Sequence, residues 1–217
     1  MLRVLALIKR LPTIDRAGFR EHYEERHVVV AKPLLRHLVR YARHHVMEEL
    51  VGPIDFDVIT SFGYADQSAV EGMFATLASD AAGPILEDER RFMDKAGNRF
   101  FEVSERPWLE AGRQGEEEDR STFVLVARPP DMSRAECSAR LLRDHWPVLL
   151  EKASDLRFAV VRDAFPMQGA PLPFDGLMQL AGDAGVDVHG FAKRLARDGF
   201  RVAAIRTRRY VTALPAE

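Results

Sequence analysis

A single cysteine, Cys137, in 217 residues leaves no intramolecular disulfide to form and fits a reducing compartment. Long apolar runs are missing as well: none approaches the roughly 18 to 20 uncharged residues of a membrane span. The opening stretch Met1–Arg10 has an apolar core too short for a signal peptide and no cleavage site. The expectation is a cytoplasmic protein with no membrane partner. A basic excess is absent too. With 31 Lys and Arg against 33 Asp and Glu, the net charge of −2 argues against a nucleic-acid partner. There is no Gly-x-Gly-x-x-Gly fingerprint, P-loop, Gly-x-Ser-x-Gly elbow or Cys-x-x-Cys pair. Dinucleotide, nucleoside-triphosphate, acyl-serine and thiol-redox chemistry lose their support with them.

What is present is an ordered series of short elements. Val4 to Lys9 reads as a buried strand, stopped by Pro12, and Asp15 is the N-cap of an amphipathic helix carrying Phe19, Tyr23 and Val30. Pro33 ends or kinks that helix. Leu38 to Met47 and Ile54 to Tyr64 read as strands around a Gly52-Pro53 loop. A helix from about Asp66 to Leu77, a short helix from Ile85 to Met93 and a strand from Arg99 to Ser104 complete a βαββαβ order. Glu110 to Arg120, with its run Glu116 to Asp119, has no apolar periodicity and reads as a solvated acidic linker.

The series then begins again. Residues 118 apart pair Arg10 with Arg128, Pro12 with Pro130, Arg16 with Arg134, His27 with His145, Phe56 with Phe174 and Asp57 with Asp175. Together with the recurring order of elements, these matches establish a duplication. The division predicted is repeat 1 over 1–109, a linker over 110–120 and repeat 2 over 121–217. The predicted class is α+β: two ferredoxin-like repeats whose antiparallel sheets pack into a pseudo-dimeric α/β barrel. Strands such as Val4 to Ile8 are apolar on both sides, so each sheet needs its second face covered. The expectation is that the two sheets pack face to face and that any pocket lies between them.

Leu5 to Arg10, the helix segment Phe19 to His27, Arg40-Tyr41 leading to His45-Val46, and Asp55-Phe56-Asp57 together resemble the EthD-domain family of the dimeric α/β-barrel superfamily. The resemblance covers residues 1 to about 108 well and 121 to about 213 more faintly. Repeat 2 departs from it, with Leu141 in the slot of Tyr23 and Val161 or Arg162 in that of His45. The resemblance implies cofactor-free chemistry on polyketide or aromatic intermediates, with haem or flavin binding known among relatives.

His27 and Tyr23, four apart on one helix, form a workable general acid/base pair. Against this, His27 could simply cap the helix end, a role that the retained His145 favours. The resemblance implies that His45, rather than His44, lines the cavity beside Tyr41. Asp57 would orient His27 or contact substrate, or else tie strand to helix, as the retained Asp175 favours. His37, His44 and His45 do not make a metal site. Adjacent strand residues face opposite ways, and His37 lies roughly 26 Å from His45 at about 3.3 Å per residue. Arg206, Arg208 and Arg209 could grip an anion or guard a sheet edge.

The reading is a cofactor- and metal-independent enzyme acting by proton transfer on a small apolar carbonyl compound, through cyclisation, dehydration, decarboxylation or isomerisation. His27, Tyr23 and His45 are the catalytic candidates, with Tyr41 and Asp57 binding substrate. The alternatives are a non-catalytic carrier of a hydrophobic ligand and a haem-binding protein. The chain is expected as a monomeric pseudo-dimer or a homodimer of pseudo-dimers.

Overall fold

The computed structural model describes residues 1–109, 120–150, 156–164, 172–181 and 185–214. Repeat 1 runs β1 (Leu2–Ile8), α1 (Arg16–His22), a π-helical turn (Tyr23–His27), α2 (Val28–Val30), α3 (Lys32–Leu35), β2 (Arg40–Val51), β3 (Val58–Tyr64), α4 (Gln67–Leu77), α5 (Gly83–Phe92) and β4 (Arg99–Leu109). Repeat 2 repeats the order: β5 (Arg120–Ala127), α6 (Arg134–Arg140), a second π-helical turn (Leu141–His145), α7 (Trp146–Leu150), β6 (Leu156–Ala164), β7 (Gly176–Ala181), α8 (Val188–Arg197) and β8 (Arg201–Val211). The expected linker falls almost wholly on 110–119, outside the described residues; Arg120 already opens β5.

Local chemistry sets the element ends. The Asp15 side chain accepts the amide of Gly18 at 2.7 Å and that of Asp66 accepts Ala69 at 3.0 Å, each filling an orphan donor of the helix it caps. Pro33 stands in the first turn of α3, where its missing N–H costs nothing, so it restarts the helix rather than ending it. Ile54 to Asp57 is not strand, because Asp57 is held at the end of β1 instead. Gly52 turns the chain out of β2 at a φ of 65°, where a Cβ would stand 2.8 Å from the carbonyl oxygen of Val202.

The eight strands close in the order β1-β3-β2-β8-β5-β7-β6-β4, every neighbour antiparallel. Each repeat supplies four adjacent strands. The two seams, β2 with β8 and β4 with β6, are equivalent under the duplication, each with register shifts along its length. The two sheets therefore join edge to edge at the seams and face each other across the barrel, as expected. Closure removes both free edges, so Arg206 guards no edge; it pairs with Glu48 of β2 at 2.7 Å across a seam.

Alternation along the strands then makes two environments. Leu5, Leu7, Ile59, Phe101, Phe123 and Leu125 point inward and fill the barrel as one packed cluster. Val4, Ala6, Ile8, Val58 and Tyr64 point outward and are covered by the helices of repeat 1, as Val124, Val126, Met178 and Ala204 are by those of repeat 2. Both sheet faces are thus buried, which is why neither alternate set of residues is polar. Among the described residues, no helix is long and apolar enough to cross a membrane.

Candidate active site

The cavity is not between the sheets. It lies within repeat 1, between the outer face of its sheet and the helices above, with a volume of about 830 Å³. The barrel interior is filled by large aliphatic and aromatic side chains, whereas the helix layer of repeat 1 stands off the sheet. Val4 and Ile8 of β1 and Phe62 and Tyr64 of β3 form the floor, and Leu34, Leu38 and Met73 form part of the roof. Polar groups on the wall are few: Tyr23, His27, Tyr41, Tyr64, Glu89, Lys95 and Asn98. Such a pocket suits a largely apolar ligand oriented by a handful of polar contacts.

Tyr23 and His27 both lie on this wall, contributed by the π-helical turn, with their rings edge to face at 5.1 Å. The His27 Nδ1 faces Asp88 Oδ2 of α5 at 3.0 Å. A carboxylate only accepts, so that nitrogen carries the proton and Nε2 keeps its lone pair. Among the described residues Nε2 has no hydrogen-bond partner. Burial lowers the His27 pKa, and Asp88 opposes that without reversing it, so the ring is neutral near pH 7. A neutral imidazole, oriented by a carboxylate and presenting a lone pair to an apolar cavity, is arranged as a general base.

The Tyr23 hydroxyl lies 3.2 Å from Thr60 Oγ1 and accepts from the Tyr41 hydroxyl at 3.5 Å. Burial raises the pKa of both phenols, and that of Tyr41 well above the ordinary value, so both stay protonated as donors.

His45 is not on the cavity wall. It shares the outward face of β2 with Tyr41, but sits behind the Tyr23 ring at 5.5 Å, its Nε2 2.7 Å from Glu24 Oε1. Arg43 reaches the same carboxylate at 2.5 Å and lies over the Tyr41 ring at 4.5 Å. Burial pushes the Glu24 carboxyl up, but His45 and Arg43 outweigh it and lower the pKa. His45 thus belongs to a buried charge cluster that braces Tyr23 and Tyr41.

Asp57 does not meet His27 or the cavity. It accepts from the Arg10 backbone amide at 3.0 Å and from Nε of Arg10 and Arg16 at 3.2 and 3.0 Å. Asp175 makes the same contacts with Arg128 and Arg134, at 2.9, 3.1 and 3.2 Å. The roles of orienting His27 and binding substrate are therefore corrected: this carboxylate ties β1 to the start of the helix layer in both repeats. His37 sits against α4, its Nε2 2.8 Å from Thr76 Oγ1, and His44 points into the barrel against Phe123 at 4.9 Å. Among the described residues no three His, Cys, Asp or Glu converge as a metal site would require.

Asp88 is the functional residue that sequence reasoning missed. Ile85, Asp88 and Phe92 are the buried positions of α5, so the carboxylate occupies a place in the apolar stripe. That misplaced charge was its signal.

Repeat 2 holds the same frame without the same site. Leu141 replaces Tyr23, and His145 is buried against Phe191 and Phe200. Asp198 Oδ2 lies 2.9 Å from its Nε2 but off the hydrogen-bonding direction, and among the described residues neither ring nitrogen has a hydrogen bond.

A closed eight-stranded barrel of two fused ferredoxin-like units, with a pocket under one helix layer, defines a dimeric α/β-barrel protein. Residues 11–96, most of the first repeat, match the EthD domain. No curated protein matches the chain in sequence. Among solved structures, an anthrone oxidase-like protein aligns with 97% of this chain and 92% of its own at 10% identity, with a TM-score of 0.57. A proposed monooxygenase from Lactobacillus acidophilus NCFM aligns with 98% and 97% at 11% identity and a TM-score of 0.52. A proposed chlorite dismutase covers 95% of each chain at 10% identity and a TM-score of 0.51. At such identities the likeness establishes the fold alone.

Proposed function

We propose that the chain is an enzyme acting by proton transfer on a small, largely apolar carbonyl compound held under the helix layer of repeat 1. The observation that carries this is His27, with Nδ1 on Asp88 and a partnerless Nε2 on the wall of an apolar cavity. Nε2 takes a proton from a carbon conjugated to the carbonyl, either next to it or, as in anthrone, through an aromatic ring. The C–H electron pair moves into the new C=C bond and the carbonyl oxygen becomes an enolate, held by the Tyr23 hydroxyl, which Tyr41 supports by donating to it. Asp88 stabilises the imidazolium that results. Reprotonation at another carbon gives isomerisation, and attack on a second carbonyl gives cyclisation. This first step needs only side chains of repeat 1, which supports a reaction without a cofactor. The likeness to an anthrone oxidase-like fold supports an aromatic ketone as a probe.

The test is deuterium wash-in at the acidic CH2 of anthrone, in D2O under argon. Wild type should exchange above the buffer rate, and His27→Gln should lose about 10²-fold or more while folded. The competing reading is a carrier of the same ligand, favoured by the apolar lining. It predicts anthrone binding without exchange, in both proteins alike.

A further inference from the structure

Asp88 has a second histidine on it. The Nε2 of His22 faces Asp88 Oδ1 at 2.9 Å, while His27 occupies Oδ2 at 3.0 Å. The carboxylate is thus gripped on both oxygens, and among the described residues it has no other hydrogen-bond partner. The His22 ring stacks on Phe92, one turn along α5, with centroids 4.4 Å apart.

Helix geometry makes this arrangement unusual. In an α-helix, residues five apart point about 140° away from each other and cannot share a carboxylate. The π-helical turn from Tyr23 to His27 has hydrogen bonds running from i to i+5, which brings the fifth residue back over the first. The widened turn is therefore what lets His22 and His27 meet one acid.

Repeat 2 supplies the internal comparison. It keeps the widened turn and His145, but has Arg140 in the slot of His22, with its guanidinium 5.9 Å from the Phe200 ring centroid. There the nearby carboxylate, Asp198, is not hydrogen-bonded to the histidine.

We propose that His22 is a positioning residue for the base: by holding Oδ1 of Asp88 it keeps Oδ2 on Nδ1 of His27, fixing the tautomer whose Nε2 lone pair faces the cavity. This rests on the reading of His27 as the base. Without His22, one side of Asp88 is released, the carboxylate rotates towards solvent, and His27 exchanges between its two neutral tautomers. In one of them Nε2 carries the proton and cannot accept another.

The experiment is ¹⁵N-histidine NMR of the ligand-free protein at neutral pH, paired with anthrone exchange kinetics, for wild type, His22→Phe and His22→Gln. Wild type should show His27 with its proton on Nδ1. His22→Phe keeps the ring stack on Phe92 but lacks the donor. It should give a tautomer mixture and a kcat about tenfold lower, the usual scale for an outer partner, with KM within about twofold. His22→Gln, whose amide nitrogen sits as far along the side chain as Nε2, should restore both. The proposal is overturned if wild-type His27 carries its proton on Nε2. It is equally overturned if His22→Phe leaves tautomer and kcat at wild-type values, or if Phe and Gln impair them alike. The tautomer reading needs no substrate, so exchange surviving in His27→Gln would remove the functional reading while leaving this measurement to decide the role of His22.

Discussion

Two carboxylates of repeat 1, Asp57 and Asp88, hold different partners, and their substitutions should separate. Asp88→Asn removes the acceptor that fixes the His27 tautomer, so kcat for anthrone exchange should fall about 10- to 100-fold with little change in melting temperature. Asp57→Ala should do the reverse. It removes the acceptor shared by the half-buried Arg10 and Arg16, and should cost about 1–2 kcal/mol in denaturant unfolding while kcat of the folded fraction stays within twofold. The difference also explains what the sequence could carry. Asp57 and Asp175 recur 118 positions apart because the structural tie is needed in both copies, and that recurrence marks them as structural. Tyr23 and His27 are legible from their spacing on one helix. Asp88 lies 61 positions from His27, in the charged string Glu87 to Arg91, and only its place between Ile85 and Phe92 sets it apart. The true position of His45 could not be read, because strand alternation gives the face but not which neighbour stands in front.

At the scale of elements, the widened turn and the stand-off of the helix layer create the site. Hydrophobic periodicity assigned Tyr23 and His27 to a helix face but could not reveal the π-helical widening, since one extra residue per turn barely disturbs the pattern over five positions. The cavity itself makes a separate prediction. Ala31 lines it and is buried, so Ala31→Phe should fill space rather than displace core. Anthrone affinity, read by fluorescence titration, should drop at least tenfold while the melting temperature holds or rises.

The whole molecule is one barrel built twice. The duplication, the order of elements and the need to cover both sheet faces were all legible in the sequence. So was the closed barrel. The place of the pocket was not, because apolar patterning does not say whether the barrel interior or the helix layer is the one left incompletely filled.

The buried histidines give the molecule a pH signature. Burial lowers the pKa of His27, His45 and His145 below the ordinary value of about 6.5. Unfolding restores that value, so between the lowered values and about pH 6.5 the unfolded chain binds more protons, and stability falls as pH falls through that window. The melting temperature should be lower at pH 5 than at pH 7. His145→Leu, which removes two partnerless nitrogens, should reduce that pH dependence without lowering stability at pH 7.

One histidine can report on each layer: His27 on the cavity wall, His44 inside the barrel and His145 under the second helix layer. Titrating ¹⁵N-histidine-labelled protein with anthrone tests all three at once. The His27 ring signals should move with ligand concentration while those of His44 and His145 stay in place. Movement of His44 or His145 with His27 unchanged would put the ligand elsewhere and contradict the account.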